Sequence, residues 1–173
     1  MHYNVIIIGG GPGGIFSAYE LTKDRSDLRV AVFEAGHSLE KRHCPIDGDK
    51  VKSCIRCKSC SIMSGFGGAG AFSDGKLNTG TKDLRHRFIL EELVRCGAPE
   101  EILYDAKPHV GTDYLHIALK NLRRELLDLG ADIRFEHQLT DLDIQDGALH
   151  GIAVTGPEGT YPLPCRQLIL CPG

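Results

Sequence analysis

The feature that most constrains this chain is the run Gly9-Gly10-Gly11-Pro12-Gly13-Gly14, set between two segments of different period. Before it, Tyr3 to Ile8 is a short apolar stretch rich in β-branched residues and reads as a buried parallel strand. After it, Pro12 suits the first turn of a helix, and Ile15, Ala18, Tyr19 and Leu21 give an apolar face as far as Lys23. Arg29 to Phe33 reads as a second strand, closed by Glu34. Strand, glycine turn, helix and strand make a βαβ unit.

Gly9, Gly11 and Gly14 fit the spacing GxGxxG, and an acidic residue, Glu34, follows 20 positions after Gly14. Each part has a chemical reason. Gly9 permits the tight turn, Gly11 lets a pyrophosphate lie against backbone N–H groups at the positive end of the helix, and Gly14 lets helix and strand pack closely. Glu34 would accept hydrogen bonds from ribose hydroxyls and would repel a 2′-phosphate. The expected nucleotide is therefore FAD or NAD rather than NADP.

Further along, Leu84 to Cys96 reads as a helix with Gly97 as its C-cap. A longer helix is expected from about Asp113 to Leu129, with Leu115, Leu119, Leu122, Leu126 and Leu129 inward and Thr112 or Asp113 as N-cap. Ile133 to Phe135 restarts a strand. Three strands then form a meander: Leu139 to Ile144, Leu149 to Val154 and Thr160 to Leu163, with turns at Asp146-Gly147 and Gly156-Pro157. Gln167 to Cys171 closes as a buried strand, and the domain is expected to be cut short there. The predicted class is α/β: a Rossmann-like FAD-binding domain over residues 1–173, with a parallel sheet, a β-meander crossover and truncation after the last strand.

Of the 21 glycines, eleven lie in residues 9–14 and 65–80. Directly before the second window comes a basic loop, residues 41–64, with no helical or strand period. It carries Cys44, Cys54, Cys57 and Cys60 in the pattern C-x9-C-x2-C-x2-C. The residues alone leave three readings open: a thiolate site for zinc or an iron–sulfur cluster, a redox dithiol such as Cys57 with Cys60, or ordinary thiols. Cys96, Cys165 and Cys171 are expected to be structural. The eight histidines are scattered without a ligand pattern.

The formal charge is −3, from 20 Lys and Arg against 23 Asp and Glu, with no long basic run, which argues against nucleic acid as a partner. No apolar run approaches the ~18 residues of a bilayer span. A cytoplasmic protein acting on a small-molecule substrate or redox partner is expected.

The N-terminal GxGxxG with its distant Glu, the meander and the closing LILCPG resemble the two-dinucleotide-binding flavoproteins. More narrowly, IMSGFGGAGAFSDGKL at Ile62 to Leu77, preceded by the cysteines and followed by the helix start at Gly111, resembles the uncharacterised bacterial and archaeal FAD-dependent dehydrogenases. Proteins of that family are longer, so the resemblance implies an N-terminal portion. It puts Gly9, Gly11, Pro12, Gly13 and Gly14 at the pyrophosphate, Glu34 at the ribose, and the backbone of Leu139 near the adenine. Gly67, Gly68, Ala69, Gly70, Ser73 and Lys76 would line the ribityl and ring end, with Lys76 favouring an anionic reduced flavin. Gly173 of the closing motif would face the flavin, although Cys171-Pro172 stand where Ala-Thr is common. The implied activity is electron or hydride transfer through flavin. A non-flavin alternative is an NAD-binding enzyme of the thiazole-synthase kind, and a non-enzymatic one is a nucleotide- or metal-binding module.

Overall fold

A computed structural model describes residues 2–72, 75–77, 83, 85–105 and 108–172. Four parallel strands form the central sheet. They are β1 (Val5–Ile8), β2 (Val30–Glu34), β3 (Asp132–Phe135) and β7 (Leu168–Leu170), in the order β3-β2-β1-β7. α1 (Pro12–Thr22) joins β1 to β2, as the sequence pattern requires.

Alternation along the strands sorts side chains to two faces. Ile7, Val30 and Val32 face a core shared with α1, α2 (Arg85–Arg95) and α3 (Thr112–Asp128). Ile6, Ala31 and Phe33 face the other way, against Ile152, Val154 and Leu163 of the meander. That meander is an antiparallel sheet of β4 (Gln138–Gln145), β5 (Ala148–Gly156) and β6 (Gly159–Pro164). The result is three layers: helices, parallel sheet, meander.

The tight β4–β5 turn uses Asp146 and Gly147 at φ 51° and 77°, the left-handed pair that an Asp-Gly hairpin supplies. The next turn falls on Pro157-Glu158, one residue beyond the expected Gly156-Pro157, because Gly156 still pairs with Gly159. α3 buries Leu115, Leu119, Leu122 and Leu126, as its 4-3-4 spacing implies. Its N-cap, however, is Gly111, at φ 78°, and neither Thr112 nor Asp113 caps it; both are already helical. In α2 the fully buried position is Leu93, and Phe88, Leu90 and Val94 are half-buried around it. Among the described residues no helix is long and apolar enough to cross a membrane.

Candidate dinucleotide site

β1 ends and α1 begins at the Gly9–Gly14 turn, on the carboxyl side of the sheet, where open α/β folds place their ligands. Gly9 has φ 108°, and its N–H donates to the Phe33 carbonyl at 2.8 Å. A Cβ on Gly9 would stand 2.2 Å from the Cys171 carbonyl oxygen, and one on Gly14 would stand 1.8 Å from the Gly9 carbonyl oxygen. The protein's own backbone therefore demands both glycines. Gly11 is different: a Cβ there would meet nothing closer than the Gly68 Cα at 3.9 Å. Its lack of a side chain leaves a space open in front of α1, whose first-turn amides have no intrahelical partner and no side-chain cap. That is the space and the polarity a pyrophosphate needs.

Glu34 ends β2 beneath this turn, 6 % exposed. Its Oε2 accepts from the Gly10 N–H at 2.6 Å, and its Oε1 accepts from Gly36 N–H at 2.7 Å and Gly65 N–H at 3.0 Å. A carboxylate has about four lone-pair sites. With three taken, one site remains on Oε2, and the carboxylate is first of all a clamp on three backbone amides. β4 starts just beyond, since the His137 N–H donates to the Glu34 carbonyl at 2.9 Å. Leu139 follows two residues later, half-buried and paired with Val154.

The second glycine window packs straight onto the first. The Gly67 N–H donates to the Gly10 carbonyl at 2.8 Å, and Gly68 faces Gly11. Ala69 and Gly70 then open a short 3-10 turn, Ala69–Phe72, where the Ala71 carbonyl lies 2.7 Å from His116 Nε2 of α3. Lys76 is exposed and bridges His109 beside the start of α3. Ser73 and Gly173 lie outside the described residues.

The residue the sequence pattern undervalued is Arg42. Counted there only as one of several basic residues in the cysteine loop, it is 4 % exposed and hydrogen-bonds carbonyls on both sides of Gly65. Burial lowers its pKa from the ordinary guanidinium value, opposed by the Glu34 carboxylate and the Cys60 sulfur. Its only sequence signal was a basic residue eight positions past Glu34. No period marks such a residue as buried.

The four cysteines of the loop are not brought together. Cys54 and Cys57 are exposed, Cys44 and Cys60 are half-buried, and all are free thiols. Among the described residues, no group of three or more His, Cys, Asp or Glu side chains is placed to hold a metal ion. The expected zinc or iron–sulfur ligand set is therefore not preformed. Locally the segment turns on its own backbone, with Asp47 Oδ1 accepting from the N–H groups of Asp49, Lys50 and Val51 between Cys44 and Cys54.

Comparison with known proteins agrees with this geometry. Residues 7–43 match the family described as NAD(P)-binding Rossmann-like domain. An uncharacterized protein of Clostridium beijerinckii is 40 % identical over 168 residues, covering 97 % of this chain and 30 % of that protein. The 12-dehydrotetracycline 5-monooxygenase/anhydrotetracycline 6-monooxygenase of Streptomyces rimosus is 29 % identical over 187 residues, covering 100 % of this chain and 31 % of that enzyme. Among solved structures, THI4 of Thermovibrio ammonificans superposes with a TM-score of 0.61 at 17 % identity, covering 99 % of this chain and 58 % of that one. The chain thus spans a little under a third of the curated relatives it matches. With the β3-β2-β1-β7 sheet, the glycine turn and the crossing meander all in place, the fold is the α/β Rossmann-like dinucleotide-binding fold.

Proposed function

We propose that this chain is the FAD-binding part of a flavin-dependent oxidoreductase. The observation that carries the reading is the contrast within the motif: Gly9 and Gly14 are required by protein contacts, whereas Gly11 is required by none, so its missing side chain serves a ligand. Gly11, Gly13 and Gly14 would hold the pyrophosphate through the α1 amides, and Glu34 Oε2 would take a ribose hydroxyl. A buried carboxylate there disfavours a 2′-phosphate. The meander supports FAD over NAD, since a plain NAD domain continues as alternating strands and helices. Leu139 would sit near the adenine, and the Gly67–Gly70 backbone near the ribityl chain. When bound, FAD supplies the electron or hydride chemistry, and the protein supplies its position and polarity.

The finer reading is a dehydrogenase, favoured by the GGAGAFSDGKL stretch. A monooxygenase is the second reading, favoured by the similarity of the whole of this chain to 31 % of an enzyme of that name. Absorbance of the full-length protein between about 300 and 600 nm, with and without added FAD, tests the common part. A protein that neither carries nor takes up flavin overturns it. Oxygen uptake by the reduced protein in the presence of substrate then separates the two: a monooxygenase inserts one oxygen atom into product, a dehydrogenase none.

A further inference from the structure

The guanidinium of Arg42 sits at the centre of the segment that joins the cysteine loop to the glycine turn. Nε donates to the Ser61 carbonyl at 2.8 Å, and Nη2 to the Ile62 carbonyl at 2.9 Å. Nη1 donates to the carbonyls of Phe66 and Gly68, both at 2.8 Å. One face of the group lies over the Phe72 ring at 4.3 Å. Four carbonyl oxygens converging on one point repel one another unless a planar, multiply donating cation stands between them. Arginine has that fork; lysine has a single point of charge.

The chain is shaped around this side chain. Gly65 has φ 120°, and a Cβ there would stand 2.6 Å from Arg42 Cδ and 2.6 Å from the His37 carbonyl oxygen, so any other residue would push the loop off both. Glu34 holds the Gly65 amide from below while Arg42 holds the flanking carbonyls. Held this way, Gly67 reaches the Gly10 carbonyl and Gly68 faces Gly11. On the other side, the Cys60 carbonyl accepts the N–H groups of Met63 and Ser64, closing the turn from which the held Ser61 and Ile62 carbonyls project.

We propose that Arg42 is a positioning residue of the dinucleotide site. It holds the Gly65–Gly68 loop against the β1–α1 turn and couples the order of that loop to Cys60. Four of its five N–H donors are committed to backbone carbonyls, so it acts through the loop rather than as a phosphate ligand. The proposal rests on the FAD reading above for what the loop positions, but not for the grip itself.

The test uses full-length protein carrying Arg42→Met or Arg42→Lys. Two quantities are read: the rate of maleimide labelling at Cys60, by mass spectrometry, and the FAD dissociation constant of the apoprotein. In both variants a cooperative thermal transition should persist, with Cys60 labelling faster by about tenfold and FAD binding weaker by about tenfold or more, the scale of losing charge-assisted hydrogen bonds. Unchanged labelling and affinity in the folded Met variant overturn the proposal. So does restoration of both by lysine, which would mean that charge alone suffices. Loss of the cooperative transition in both variants also overturns it, since Arg42 would then be a general support of the fold. If wild-type protein binds no FAD, the cofactor reading falls, and Cys60 labelling still decides whether Arg42 holds the loop.

Discussion

The two glycine-rich segments look alike in sequence and are held by different physics. Gly9–Gly14 is fixed by regular structure: a strand enters it, a helix leaves it, and the carbonyl oxygens of Cys171 and Gly9 leave no room for a side chain at Gly9 and Gly14. Gly65–Gly70 has no such frame. It is held from outside, by the Glu34 carboxylate on one amide and by the Arg42 guanidinium on carbonyls. Gly9 and Gly14 answer to main-chain crowding, and Gly65 answers to the His37 carbonyl oxygen and to the Arg42 side chain together, each 2.6 Å from where a Cβ would stand. Between them, the cysteine segment is gripped by Arg42 at its Ser61 and Ile62 carbonyls, while Cys54 and Cys57 lie exposed.

The largest effect that tests this contrast is at Gly14. Because a Cβ would lie 1.8 Å from the Gly9 carbonyl oxygen, Gly14→Val should cost about 3 kcal/mol or more of folding stability, as overpacking against rigid backbone does. Gly70→Ala, where a Cβ meets nothing within 4 Å, is the control and should melt close to wild type. Equal melting temperatures for the two variants would break the distinction between crowded and open glycines.

Next in size is Glu34→Gln. The amide keeps one acceptor oxygen but turns an NH2 group toward backbone N–H donors, so stability should fall by about 1–3 kcal/mol in urea titration. FAD affinity should fall with it. A variant that loses affinity at full stability would show Glu34 to be a ribose ligand alone and not a clamp.

Gly11→Ala sharpens the comparison from the opposite side. Its Cβ touches only Gly68 Cα at ordinary distance, so stability should change by less than about 1 kcal/mol, the scale of an N-cap exchange. Calorimetric FAD affinity should nevertheless drop. Unaltered affinity would remove the ligand from in front of α1.

The smallest effect is expected in the cysteine segment. Cys54→Ser with Cys57→Ser should move stability by no more than about 0.5 kcal/mol, because neither side chain is packed. In the wild type these two thiols should react first with Ellman's reagent. Cys96 and Cys165 should wait for unfolding, because burial hides both thiols and pushes their pKa values up, so little thiolate is present. A large loss of stability in the double variant would mean that the segment carries structure through its thiols after all.

Local patterns in the sequence decided the elements. The β-branched run before Gly9, the 4-3-4 leucines of α3, and the Asp146-Gly147 hairpin each depend on interactions within a few residues, and each stands in the structure where the pattern puts it. The fingerprint of Gly9, Gly11, Gly14 and Glu34 was legible for the same reason, since it lies within one βαβ unit. What period and propensity do not encode is how distant segments meet. That Glu34 spends its carboxylate on Gly10, Gly36 and Gly65, that Arg42 is buried among carbonyls from 61 to 68, and that the four cysteines stay apart were decided only in three dimensions. A hydrogen bond between residues 24 or 31 positions apart leaves no periodic trace in the chain, and a cysteine spacing states what could bind a metal without supplying the packing that would bring the sulfurs together.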